Sequence, residues 1–204
     1  MTTFYLIRHG NTEVGDRIVG RRTGVHLSGS GRRQADELAG RLEEIRFSAA
    51  YCSPRERTQE TAMPLSARRG ISPAVLEELD EIEFGEWTGK TFEDLERVRE
   101  WKLFHTFRSA IRPPGGELMV EVQSRMVRAV ERLRREFPGG VVALVSHGDP
   151  LRSVIGYYAG IPLDLMLRVT VDTASVSVLT VNDYGAVFLC INATGGVPHP
   201  PENE

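Results

Sequence analysis

LIRHGNTE, residues 6–13, follows directly on the apolar start TTFY (2–5). A short apolar run of this kind reads as a buried strand. It stops on an arginine and a histidine, then turns at once on glycine, although ionisable side chains at a strand end add nothing to packing. VVALV (141–145) repeats the pattern and runs into Ser146-His147-Gly148. A continuous apolar run is expected of a parallel strand covered on both faces. Ligands of such folds sit beyond the carboxyl ends of the strands, and glycine there lets a backbone N–H approach a ligand closely. One strand-end histidine alone is as readily a hydrogen-bonded structural residue. Two strand-to-turn elements with His-Gly at the same edge point to a single site built from both.

The segments between them supply helices. From Gly31 onward, Ala35, Leu38, Ala39, Leu42 and Ile45 share one helical stripe, with arginine and glutamate between them. AAYCS (49–53) reads as a second strand, and PRERTQETA (54–62) opens a helix with Ser53 as N-cap and Pro54 in its first turn. Pro64 is expected to kink or end that helix. Helical signals return across Thr91–Phe107 and break at RPPGGE (112–117). Met119, Val122, Met126, Val130, Leu133 and Phe137 then give a long helix face, and Leu151, Val154, Ile155 and Tyr158 another. SVSVLTV (175–181) and AVFLCI (186–191) are the last strands. Strands alternating with helices predict an α/β fold, a three-layer α/β/α sandwich with a mostly parallel central sheet. No linker interrupts the pattern, so residues 1–204 read as one domain, with a frayed tail from about residue 195. The edge strand near 175–191 could support a homodimer.

Composition narrows the class. A chain of 204 residues with 41% hydrophobic and 26% charged residues is an ordinary globular protein. Its net charge of −3 argues against nucleic acid as a partner, so any anion site must be local. Cys52 and Cys190 have no partner at metal-ligand spacing, which fits a reduced cytosolic state. No leader pattern and no apolar run approaching 18 residues is visible, so a cytoplasmic location without membrane contact is expected.

Two histidines with arginines suit a tetrahedral dianion, because a guanidinium presents a planar fork of donors to phosphate oxygens. Arg8 supplies one fork. Arg57, in the first turn after YCSP, supplies another beside a helix N-terminus that favours negative charge. A histidine nucleophile must be neutral at its attacking nitrogen, with the other nitrogen held as a donor, typically to a backbone carbonyl.

LIRHGNTE, CSPRERTQETA (52–62), LDEIEFGEWTG (79–89), PPGGE (113–117) and LVSHGDPLR (144–152), in that order, resemble the phosphoglycerate-mutase-like branch of the histidine phosphatase superfamily. The resemblance implies that His9 attacks phosphorus and becomes phosphohistidine. It implies that Arg8 and Arg57 hold the phosphoryl oxygens and that His147 donates to them in the transition state. Glu81 matches the acid that protonates the leaving oxygen and later deprotonates water, with Glu83 its rival two positions on. Where the family commonly carries glutamate after RHG and asparagine four residues further, this chain has Asn11 and Gly15. The donor lost at Gly15 could be replaced by Thr12, the Gly148 N–H or water, and Asn11 could itself donate. Arg21 or Arg22 could reach a second anionic group of the substrate, or be a solvated loop residue. His26 and His105 read as structural and His199 as an exposed tail residue. Trp87, Trp101, Phe104 and Phe107 could wall the substrate pocket, with core or lid packing the default reading for each.

The expected activity is that of a phosphatase releasing inorganic phosphate from a small-molecule phosphomonoester, with no cofactor and no metal, since arginines and histidine supply the positive charge. A mutase, an isomerase returning the phosphoryl group to the substrate, is the alternative. It must shield its phosphohistidine from water, yet only 34 residues separate Glu81 from Gly116, where the family's mutases tend to carry longer insertions. A catalytically silent phosphate-binding module would have no need of both histidines and the acid.

Overall fold

The structure is a computed structural model that describes residues 1–201, apart from the side chains at 66–69. Its centre is β1 (Thr2–Arg8), flanked by β4 (Val141–Ser146) in parallel and β5 (Val176–Val181) antiparallel. β2 (Ala49–Cys52) and β3 (Ala74–Val75) extend the parallel side, and β6 (Ala186–Ala193) closes the other edge as a hairpin with β5. The order is β3-β2-β4-β1-β5-β6, a mostly parallel sheet ending in an antiparallel edge. On β6, Val187, Leu189 and Ile191 are exposed.

Strand alternation divides the core into two layers. Phe4, Leu6, Val142 and Leu144 face α5 (Met119–Glu136) and α6 (Gly148–Ala159), with the aromatics of α4 (Arg99–Thr106) in the same cluster. Tyr5, Ile7, Ala143 and Val145 face α1 (Gly29–Arg41) and α2 (Glu56–Arg69). With helices on both faces, the central strands are buried on both sides, which is why their sequences are apolar without alternation.

Local chemistry sets the helix starts. Ser28 caps α1 by accepting from the Gly31 N–H, and Thr91 with Asp94 forms a capping box at α3 (Phe92–Glu96). Two expectations need correction. α2 begins at Glu56, so Ser53 lies three residues outside it and is not its cap, and Pro54 precedes the helix rather than standing in its first turn. Pro64, expected to kink or end α2, lies inside it, and the helix runs on to Arg69. The helix gives up the bond from residue 64 to the Glu60 carbonyl, while Ala62 and Leu65 on either side of Pro64 remain buried in the core. The helical signals of the 91–107 segment correspond to two helices, α3 and α4.

The β1–β4 register positions the site. Arg8 lies opposite Ser146, and the His9 N–H donates to the Ser146 carbonyl at 3.0 Å, so both His-Gly turns emerge side by side. The turn after His9 lies directly on the start of α1: a Cβ on Gly31 would stand 2.0 Å from the Asn11 carbonyl oxygen, so only glycine fits there. Among the described residues no helix is long and apolar enough to cross a membrane.

Candidate active site

His9 leaves β1 with its backbone already fixed. The Ala174 N–H donates to the carbonyls of both Arg8 and His9, at 3.1 and 3.2 Å, and Ala174 adopts a left-handed φ of 54° to do so. The His9 Nδ1–H donates to the Gly10 carbonyl at 2.7 Å, which leaves Nε2 as the nitrogen with a free lone pair. Burial, and then the Arg57 charge, lower the His9 pKa to about 3, so the imidazole is neutral. The Gly10 N–H is held in turn by the Thr61 hydroxyl at 3.0 Å.

The two arginines are anchored by one nitrogen each. Arg8 Nη1 donates to the Val171 carbonyl at 2.6 Å, and Arg57 Nη2 to the Gly20 carbonyl at 2.8 Å. Arg8 Nε and Arg57 Nη1 are buried without a partner. Buried donors are rarely left unpaired, and two of them beside a bare imidazole nitrogen are suited to an anion. Gly148 completes this end: a Cβ there would come within 3.4 Å of the Arg8 guanidinium.

His147 stands at the N-cap of α6, fully buried, its ring centroid 5.2 Å from that of His9. Its Nε2 lies 2.8 Å from the Ser53 hydroxyl, and its Nδ1 is buried without a partner. Ser53 accepts the Arg55 N–H at 3.3 Å, so its single proton goes either to Nε2 or to Asp80 Oδ1, 3.2 Å away. Asp80 Oδ1 already receives the Arg55 Nε–H at 3.0 Å and the Glu81 N–H at 2.8 Å. If the Ser53 proton goes to Nε2, the hydrogen of neutral His147 is on Nδ1; if it goes to Asp80, the Nε2–H donates to Ser53. Burial first, then Arg57, hold the His147 pKa well below its usual value.

Glu81 is half-buried, with Oε1 accepting the Ile82 N–H at 2.9 Å. Burial, followed by the Asp149 charge, raises its pKa to about 7. A carboxyl in that range is able both to give and to take a proton near neutrality.

Arg8, His9, Thr12, Arg57, Glu81 and Gly148 line one cavity of about 280 Å³. His147 lies fully buried beside His9, its Nδ1 without a partner. Asn11 does not reach the cavity: its side chain accepts from the Thr173 hydroxyl at 2.8 Å. Nor does Arg21, which donates to the Glu81 carbonyl and to Glu117, both at 2.7 Å, and so holds the Glu81 loop. Glu83 instead accepts the Gly85 N–H at 3.1 Å. His26 pairs with Glu60, and Trp87 and Phe104 are core residues. Trp101 and His105 do line the cavity, ring centroids 4.3 Å apart. Sequence reasoning missed Arg108, Asp149 and Arg152 in the same wall, and the bond from Ser53 to His147. Asp149 sat inside a quoted motif; Arg108 carried no sequence signal. No group of three or more histidine, cysteine or acidic side chains able to hold a metal occurs among the described residues.

The sequence profile of the histidine phosphatase superfamily (branch 1) matches residues 4–194. The chain belongs to that superfamily. It is 30% identical over 203 residues to phosphoserine phosphatase 1 of Hydrogenobacter thermophilus, covering 95% of this chain and 93% of that protein. The crystal structure of a putative α-ribazole-5′-P phosphatase from Escherichia coli superposes with a TM-score of 0.87 at 26% identity, covering 97% of this chain and 99% of that one. The chain spans about half the length of some curated relatives. One is a bifunctional protein of Mycobacterium tuberculosis, 31% identical over 198 residues, which cover 95% of this chain and 54% of that protein.

Proposed function

We propose that the protein hydrolyses a small phosphomonoester through a phosphohistidine on His9. One observation carries the reading: His9, its Nδ1 committed to the Gly10 carbonyl and its Nε2 free, lines one cavity with Arg8 and Arg57, each of which keeps a buried donor unpaired. The Nε2 lone pair forms the N–P bond as the P–O ester bond breaks, and Glu81 gives its proton to the leaving oxygen. The Glu81 carboxylate then takes a proton from water, whose oxygen forms the new P–O bond as the N–P bond breaks. Orthophosphate leaves, and both side chains return to their starting protonation states. Arg8, Arg57 and the Nδ1–H of His147 surround the equatorial oxygens, where fixed donors matter most. Hydrolysis is favoured over return of the phosphoryl group by the relatives named as phosphatases and by the short 81–116 segment.

His9→Ala is expected to abolish phosphate release from p-nitrophenyl phosphate with its circular dichroism unchanged, and the wild type to yield an acid-labile phosphoenzyme on quenching. A substantial residual rate in His9→Ala would remove His9 as nucleophile. Activity is expected to survive chelation and to be inhibited by vanadate, a mimic of five-coordinate phosphorus; loss on chelation restored by magnesium would count against the scheme.

A further inference from the structure

Glu81 sits on residues 80–84, a stretch without helix or strand between two short 3₁₀ turns, Glu77–Leu79 and Gly85–Trp87. A general acid must stand within hydrogen-bond reach of the oxygen it protonates. A loop backbone alone does not fix a side chain to that tolerance. The precision has to come from whatever grips the loop.

Three side chains from outside the loop hold its backbone on both sides of Glu81. Arg125, on α5, donates from Nη1 to the Glu78 carbonyl at 2.6 Å and from Nη2 to the Glu81 carbonyl at 3.1 Å. Arg21 donates from Nε to the same Glu81 carbonyl at 2.7 Å. The Glu117 N–H donates to the Glu83 carbonyl at 2.8 Å, and Glu117 Oε2 lies 3.4 Å from the Glu83 N–H. Asp80 Oδ1 takes the Glu81 N–H at 2.8 Å, so the peptide units before and after the acid are both pinned.

Glu117 is the hub of this grip. Its Oε1 accepts Arg125 Nε at 2.9 Å, and its Oε2 accepts Arg125 Nη2 at 3.1 Å and Arg21 Nη2 at 2.7 Å. One carboxylate thereby aims two guanidinium groups, and both converge on a single carbonyl. The side chains of Glu117 and Arg125 are only 16% and 11% exposed, so solvent screens their pairing little. An amide in place of the carboxylate would keep one acceptor and turn N–H donors toward an arginine. Glu117, Arg21 and Arg125 all stand outside the cavity lining, so their effect on the reaction passes through Glu81.

We infer that Glu117 is a positioning residue for the general acid: by aiming Arg21 and Arg125 at the Glu81 carbonyl, it sets the reach of the Glu81 carboxyl to the leaving oxygen. The inference rests on the role proposed above for Glu81. It carries a chemical signature, because proton delivery matters in proportion to the basicity of the departing oxygen. An alkoxide must be protonated as the P–O bond breaks, whereas p-nitrophenolate leaves as the anion.

The test is kcat/KM for benzyl phosphate and p-nitrophenyl phosphate, two aromatic esters of similar size, in the wild type, Glu81→Gln, Glu117→Gln, Glu117→Asp and Arg21→Gln. This parameter covers the steps up to departure of the leaving group, before water is activated. The ratio of p-nitrophenyl to benzyl phosphate is also blind to a loss of folded enzyme, which lowers both rates alike. Glu81→Gln is expected to raise that ratio by about a hundredfold and Glu117→Gln by about tenfold. Glu117→Asp, which keeps the charge, should fall between the wild type and Glu117→Gln. Arg21→Gln removes one of the two bonds to the Glu81 carbonyl and should raise the ratio about fivefold; it decides if Glu117→Gln does not fold. A ratio within about twofold of the wild type in Glu117→Gln, or failing that variant in Arg21→Gln, with the Glu81→Gln ratio raised, would overturn the positioning role and leave Glu81 as the acid. An unchanged ratio in Glu81→Gln would remove Glu81 as the acid, and the positioning role with it. A wild type that releases phosphate from neither ester means the phosphatase reading has failed, and Glu117 then has no acid to position.

Discussion

Ser53→Ala isolates how the second imidazole is set. The serine is fully buried, and its hydroxyl is the only contact within 3 Å of His147 Nε2 among the described residues. Removing it leaves Nε2 unpaired in a dry site, which costs about 1–3 kcal/mol of stability. A ring with its hydrogen on Nδ1 then has reason to move it to Nε2, 3.8 Å from Asp80 Oδ1, which turns a bare lone pair at Nδ1 toward the phosphoryl oxygens. Losing one fixed donor from a transition-state cradle typically costs about 2.7–4 kcal/mol, a factor of about 10²–10³ in rate. Because the ring itself stays buried beside His9, the lower end, about a hundredfold in kcat, is expected. Ser53→Thr, which keeps the hydroxyl, should stay within about tenfold of the wild type. The assay is the initial rate on p-nitrophenyl phosphate together with ¹⁵N spectra of His147, which report which ring nitrogen carries hydrogen. A Ser53→Ala enzyme within about threefold of the wild type, or a wild-type spectrum with the hydrogen on Nε2, would refute the reasoning.

Four further outcomes are expected. The leaving-group step needs protonated Glu81, so kcat should fall as pH rises through about 7. Asp149→Asn removes a charge that helps raise Glu81, so it should move that limb to lower pH; an unmoved limb would contradict the coupling. His9 has its pKa lowered to about 3, so between there and about 6.5 the unfolded chain binds more protons than the native one and stability falls with acidification. In His9→Gln the decline of Tm over that window should be shallower, and an identical slope would count against a buried neutral His9. Ala174→Gly relieves a left-handed alanine that still donates to both Arg8 and His9, and should stabilise by up to about 1 kcal/mol; a loss of stability on chemical denaturation would show that the alanine methyl is needed.

The layered fold was legible because short, valine-rich apolar runs bounded by glycine, such as VVALV, read as central strands, and strand ends are where polar residues in such runs emerge. Arg8 and His9 were legible as neighbours at one of those ends, and the register of β1 against β4 brings His147 beside them. Side-chain direction was not legible. Arg21 carries the same fork as Arg57, but its loop turns it onto the Glu81 carbonyl. Asn11 is turned toward Thr173, 162 residues further along the chain. Ser53 read as a helix cap because it precedes proline; with α2 starting at Glu56, its hydroxyl is released to serve His147. Arg108 meets Asp149 only because α4 packs near the start of α6, a contact between residues 41 apart that no local pattern encodes.

The pairing of β1 with β4 separates what can vary from what cannot. The two imidazoles hang from adjacent bonded strands, so their 5.2 Å spacing follows the interstrand distance of the sheet rather than any loop. The remote wall comes from α3, α4 and the first turn of α6, elements free to change length and chemistry. Descendants of this chain could therefore trade one metabolite for another by rewriting that wall, while the reacting pair inherits its alignment unchanged.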